Sequence, residues 1–227
     1  MLSARKPEGA RLLLSQNRNR LSERAREKIE RHINSMETGM GSRQHVRLVL
    51  EDRESAAPCA ANGYRALDLE RACGLMHELA RRCEKLYWTK LQKAAFYADM
   101  VSFERNGKSL TGLTYARATH GPVIDRKDEM RLILTDRKAV DFVEEGWGEI
   151  VVPLDGSTGR FDDDELSLID EVAGFVNTFD SASDLSDYSH ELGCWRSSLN
   201  GQVIEYTSEG YEAGESMCRR LELAAAK

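Results

Sequence analysis

TKLQKAAFYADMVSFERNG, residues 89–107, decides the reading of the fold. Its Leu91, Ala94, Ala95, Ala98, Val101 and Phe103 recur at three- and four-residue intervals, which is helical spacing, and Asn106-Gly107 supplies the turn that ends the helix. The stretch before it, ALDLERACGLMHELARRCEK (66–85), repeats the pattern with Leu69, Cys73, Met76, Leu79, Ala80 and Cys83 on one face. Asp68 stands where an N-cap carboxylate belongs. The stretch after it, SLTGLTYARATHGPV (109–123), mixes Thr, an aromatic, two glycines and a proline, so irregular or short extended structure is expected. DRKDEMRLILTD (125–136) returns to helical character.

Further along, KAVDFVEEGWGEIVVPLDG (138–156) reads as a β-hairpin. Val140, Phe142, Ile150 and Val152 alternate with charged positions, and Gly146-Trp147-Gly148 is the turn. Leu166, Ile169, Val172, Ala173 and Val176 then form another helix, opened by Asp162 to Asp164, whose charge suits a helix N-terminus. SASDLSDYSHELGCWRSS (181–198) gives a short helix with Ser183 as its expected cap, and EGYEAGESMCRRLELAAAK (209–227) a polar helix expected to fray. The fold class is α+β, mostly α: a compact helical domain over 65–227 with one small β-hairpin, preceded by an N-terminal helical extension over 1–64.

That extension differs in charge from the rest. Residues 1–57 hold 12 Lys+Arg and 8 Asp+Glu, while the remainder holds 20 and 30. In LSERAREKIERHINSM (21–36), Leu21, Ala25, Ile29 and Ile33 recur every four residues, with Ser22 as N-cap and Gly39 as stop. A stripe this narrow suits docking on a partner, with Ile29 at its centre, better than a core of its own. GMGSR (39–43) is a flexible break, RLVLE (47–51) a short apolar run and ESAAPCAANGY (54–64) a loop.

The chain has 227 residues, a net charge of −6, 41% hydrophobic and 31% charged residues. No run approaches the roughly 18 apolar residues of a membrane span, and Leu12 to Leu14 is too short for a signal core. A cytoplasmic location with no membrane partner is therefore expected. Five cysteines without a CxxC pair fit reduced thiols better than a zinc or redox site. DDDELSLIDE lacks the glycine of a hard-cation loop, and Gly107, Gly112 and Gly121 build neither GxGxxG nor a P-loop. No cofactor, metal or catalytic residue is assigned. His190 and Cys194 stand four apart, so a Cys–His hydrolase is weighed, but a core cysteine and a histidine paired with Trp195 account for them better. Basic residues of the extension admit nucleic acid, yet interleaved glutamates blunt their field, and DNA is not an expected partner. Between Asp155 and Asp187 ten acidic residues face one Arg160, which is ordinary solubility charge or a field that steers a basic partner.

Three blocks of sequence carry a family resemblance. KLQKAAFYAD (Lys90 to Asp99) is similar to a Lys-Leu…Tyr-Tyr-Ala helix, with Phe96 in place of the first Tyr. NGKSLTGLTYARATHGPV (Asn106 to Val123) is similar to a Gly-Lys-x-Leu/Ile-Thr-Gly…Gly-Pro-Val segment. LSDYSHELGCWRSSLNGQVIEY (Leu185 to Tyr206) matches a Leu-Ser…Ser-His…Trp…Ile-x-Tyr ending through Ser186, Ser189, His190, Trp195, Ile204 and Tyr206. In this order they resemble the Panacea domain, the SocA-like antitoxin family found in phage and toxin–antitoxin operons. The resemblance implies binding without turnover: an antitoxin, not an enzyme, that neutralises a cognate toxin encoded beside it by direct stoichiometric contact. Two alternatives stay open, an adaptor delivering the toxin to a protease and a nucleic-acid-binding regulator. Turns at Gly112 and at Gly121-Pro122 are expected to hold Thr111, Tyr115 and His120 on a firm exposed loop. With Tyr97, Trp195 and Ile29 these are the expected partner-binding residues.

Overall fold

The computed structural model describes residues 7–21, 23, 26, 27, 29, 30, 33, 34, 54 and 56–226, apart from 147, 156–159 and 208–210. Ser22, Ala25, Gly39, GMGSR, RLVLE and Trp147 lie outside the described residues, as do the readings placed on them.

In chain order the elements are α1 (Pro7–Asn17), α2 (Leu69–Arg82), α3 (Trp88–Asn106), β1 (Tyr115–Ala118), β2 (Gly121–Ile124), α4 (Lys127–Asp136), β3 (Val140–Glu145) and β4 (Gly148–Pro153). They continue with α5 (Asp163–Asn177), α6 (Ala182–Ser189), α7 (Gly193–Ser197), β5 (Val203–Ile204) and α8 (Tyr211–Ala225). The mostly helical α+β architecture is as expected. The sheet content is larger than one hairpin: β3 and β4 pair antiparallel as read, and a second sheet of order β2-β1-β5 forms from the stretch expected to be irregular. Tyr115 pairs with Ile124 on one side and Ile204 on the other, so β1 is the central strand.

α3 is the axis of the domain. Every residue from Lys90 to Ser102 is buried, because α2, α5, α6, α8 and β2 pack around it. A helix enclosed on all sides has no single apolar face. Two of its polar side chains reach backbone carbonyls in adjoining loops. Lys90 Nζ donates to the Phe179 carbonyl at 3.1 Å, and Ser102 Oγ to that of Lys108 at 2.9 Å. Gly107, at φ +69°, closes the helix in the left-handed region, as Asn106-Gly107 predicts.

The caps follow the sequence with one shift. Asp68 accepts from the Arg71 amide, and Asp162 and Glu165 form a reciprocal capping box at the start of α5. α6 is capped by Ser181 with Asp184, not by Ser183, since the capping-box partner sits three residues after Ser181. α8 is docked through the fully buried Met217 and Ala213 against α3 and α5, which corrects the expectation of a fraying end.

The acidic run is partly internal. Glu165, Asp170 and Glu171 on α5 pair with Arg71, Arg82 and Arg105, clipping α5 to α2 and α3. Asp162 and Asp184 are caps. Much of this charge is thus spent within the chain instead of forming a free acidic field.

The boundary at residue 64 runs through packed structure. Ala60 O accepts from the Tyr206 amide at 2.8 Å, and Gly63 O from the Ser109 amide at 2.9 Å. Asn62 O accepts from Ser109 Oγ at 2.9 Å. Residues 59–64 are therefore laid onto the domain. In the extension, Ile33 is fully buried and Ile29 half-buried, and Arg11 donates to Asn34 Oδ1 at 3.1 Å.

Candidate functional site

Thr111, Tyr115 and Tyr97 do not stand on an exposed loop: all three are fully buried. The reason is Asp99, a carboxylate in the middle of α3. Its Oδ1 accepts from the Thr111 amide at 2.9 Å; its Oδ2 accepts from Thr111 Oγ1 at 2.6 Å and from the Tyr115 hydroxyl at 2.7 Å. Burial pushes the Asp99 carboxyl up to about 6, against the pull of these hydrogen bonds. Gly112, at φ +78°, lets the loop press on Ala66, whose carbonyl oxygen would lie 2.4 Å from an added Cβ. The Lys-Ser-Leu-Thr-Gly stretch thus anchors the second sheet to the core. Tyr97 packs its ring 4.7 Å from that of Phe175. These three residues are core and present no surface to a partner, contrary to the expectation from the sequence.

His120 and Trp195 are brought together. His120 is exposed at the β1–β2 turn. Two residues before it, the Ala118 carbonyl accepts from Trp195 Nε1 at 3.1 Å. The half-buried indole is stacked on His190, with centroids 4.1 Å apart and planes 19° from parallel. Arg117 lies 4.2 Å from the same ring and donates to the Ser198 carbonyl. Beside them Leu199 is 66% exposed, an apolar side chain with no cover. An aromatic, an arginine and an exposed leucine on one rigid patch are the side-chain chemistry of a protein contact.

His190 and Cys194 do not share a helix. α6 ends at Ser189 with His190 as its C-cap, Leu192 is extended, and α7 begins only at Gly193. Cys194 is buried and the His190 ring is committed to Trp195. Desolvation lowers the His190 pKa most; Asp187 opposes it, while Lys93, His120 and Arg117 push it further down. Ile29 lies on the extension, and no described contact joins it to this patch.

Sequence reasoning passed over Asp99, Arg117 and Lys93. Asp99 was visible as one carboxylate among apolar helix positions, and Lys93 as a lysine on the same helix. Arg117 had no signal, because its place depends on the pairing of β1 with β5. Among the described residues no helix is long and apolar enough to cross a membrane, and no three metal-ligating side chains converge.

No curated protein and no solved structure matches the chain. Residues 91–196, from the first buried turn of α3 to the arginine after Trp195, match the family model described as Antitoxin SocA-like, Panacea domain.

Proposed function

We propose that this protein is an antitoxin that works in the cytoplasm by binding a cognate toxin stoichiometrically, without chemical turnover. The family match over residues 91–196 carries this reading. The patch of His120, Arg117, Trp195 and Leu199 supports it, since it joins an aromatic and an arginine held against each other to exposed side chains instead of core ones. Partner-specific contact by the extension, with Ile29 on its stripe, belongs to the same proposal.

The test is co-expression with the gene encoded next to it, read by growth and by size exclusion of the purified mixture. Rescued growth with a stable complex is the expected result. Rescue without a complex, abolished by removing a host protease, turns the reading to an adaptor. A neighbouring gene that is harmless alone and forms no complex overturns it.

A further inference from the structure

Three polar side chains buried on α3 carry an atom with no hydrogen-bond partner among the described residues, Gln92 Oε1, the Tyr97 hydroxyl and Lys93 Nζ, and of these Lys93 is the cation. It is fully buried, yet among the described residues its ammonium makes no hydrogen bond. Lys90, Asp99 and Ser102 on the same helix all have partners. His190 Nε2 is likewise buried with no partner. An unpaired buried ammonium is costly, and so is a buried ring nitrogen without a partner.

Lys93 and Ser189, the residue before His190, converge on Gly121 where α3, α6 and β2 pack together. A Cβ added at Gly121 would lie 2.9 Å from Lys93 Cε, 3.4 Å from its Nζ and 2.4 Å from Ser189 Oγ. The bare glycine therefore lets the lysine head reach the first residue of β2, directly after the exposed His120. The surroundings are cationic: Lys127 bears on Lys93, and Lys93, His120 and Arg117 all bear on His190. The carboxylate set against this group is Asp187, 4.0 Å from the other ring nitrogen of His190 and 76% exposed. A chain of net charge −6 has thus gathered positive groups around buried donors and given those donors no acceptor of their own.

We propose that Lys93 Nζ and His190 Nε2 are the donor pair of an oxyanion site at the β1–β2 turn, with Ser189 Oγ and the Gly121 backbone as its wall. The ligand is a carboxylate or a phosphate, held by two charge-assisted hydrogen bonds once His190 takes up a proton. This inference does not rest on the antitoxin reading. A free phosphate compound and an acidic side chain of a bound protein present the same chemistry.

The experiment is NMR of the full chain with ¹³Cε-lysine and ring-labelled histidine, titrated with inorganic phosphate, with acetate and with chloride at equal ionic strength. Phosphate is expected to raise the titration midpoints of Lys93 and His190 by at least half a pH unit, saturably, with no such rise in chloride. A seat that takes acetate as well accepts a protein carboxylate; one that takes phosphate alone serves a free phosphate ligand. Lys93→Met, which keeps the side-chain volume, should abolish the His190 response, and His190→Gln should weaken the Lys93 response at least several-fold. The thermal melt of each variant shows that it is folded. No saturable shift, the same shift in chloride, or a response that survives either substitution overturns the proposal.

Discussion

The His190 imidazole lies on the Trp195 indole, 4.1 Å between centroids, although the two residues sit on either side of a helix break. Arg117, from the central strand of the second sheet, lies on the same indole, and Ala118 takes its N–H. Three groups, the His190 ring, the Arg117 guanidinium and the Ala118 carbonyl, thereby fix one half-buried tryptophan. An aromatic held in place before a partner arrives loses little freedom on binding, which makes this residue the natural anchor of the patch.

Trp195→Ala should weaken capture of the toxin by about 30-fold or more, the loss typical of a central aromatic anchor. Trp195→Phe keeps a ring on His190 but leaves the Ala118 carbonyl unpaired, which costs roughly 1 kcal/mol of stability. Calorimetric titration with the purified partner and urea denaturation of each variant separate the two effects. Unchanged affinity in Trp195→Ala would remove this patch from the interface.

Asp99 gives the fold an unusual pH dependence. Its folded-state pKa is about 6 against an ordinary 3.8, so between these values the unfolded chain has released a proton that the folded chain retains. Stability contributed by this group is therefore full below pH 4 and falls as pH rises through 6, by roughly 2–3 kcal/mol. Asp99→Asn should abolish that component, because both hydroxyl partners can turn to accept. Asp99→Ala strands three buried donors and should cost about 3 kcal/mol at any pH. Denaturation midpoints of wild type and Asp99→Asn between pH 4 and 7 check this. Parallel curves sink it.

Helices, caps and the β3–β4 hairpin were legible in the sequence because their signals are local: a 3.6-residue period, Asp68 before Leu69, Asp162 three residues before Glu165. The second sheet was not legible. β1 is held by Ile204, far along the chain, and by a hydroxyl reaching Asp99, and neither leaves a mark near Tyr115. The same reason explains the misplaced contact residues. Thr-Gly and Gly-Pro do mark turns, but whether a turn faces water or the core is set by what packs on it. Thr111 and Tyr115 met a buried carboxylate, whereas His120, five residues later, met none.

Two glycines with similar backbone angles should respond differently to a methyl group. Gly107 has φ +69° and nothing within 4 Å of an added Cβ, so Gly107→Ala should cost about 1 kcal/mol, the left-handed penalty alone. Gly112 has φ +78° but would place its Cβ 2.4 Å from a backbone oxygen that side-chain motion cannot clear. Gly112→Ala should cost roughly 3 kcal/mol or more and loosen the Asp99 contacts. Urea midpoints of the two variants measure the contrast; equal costs would mean that Ala66 yields freely.

Lys93 should make the protein less stable than it could be. Burial holds its folded-state pKa near 8 against an ordinary 10.5, with Lys127 adding repulsion. Below pH 8 both states are protonated and the whole penalty is present; as pH rises from 8 to 10.5 the folded chain has shed the proton first and stability recovers. Lys93→Met is expected to be about 1–3 kcal/mol more stable than wild type at pH 7, with the gap narrowing above pH 8. Thermal melts across that range test it. A variant less stable than wild type at pH 7 would show that the ammonium is satisfied after all.

Truncation distinguishes what the N-terminal residues do for the fold from what they do for a partner. Removing residues 1–64 takes away Ala60 O, Asn62 O and Gly63 O, which accept from the Tyr206 amide, the Ser109 hydroxyl and the Ser109 amide. Losing these three hydrogen bonds should cost roughly 3 kcal/mol. Removing only residues 1–55 leaves all three in place. The shorter truncation should therefore keep the wild-type denaturation midpoint, and a loss of toxin capture there reports contact by the extension directly. If instead both truncations melt together well below wild type, the domain begins earlier than residue 56, and the buried Ile33 is the first residue to test for a place in its core.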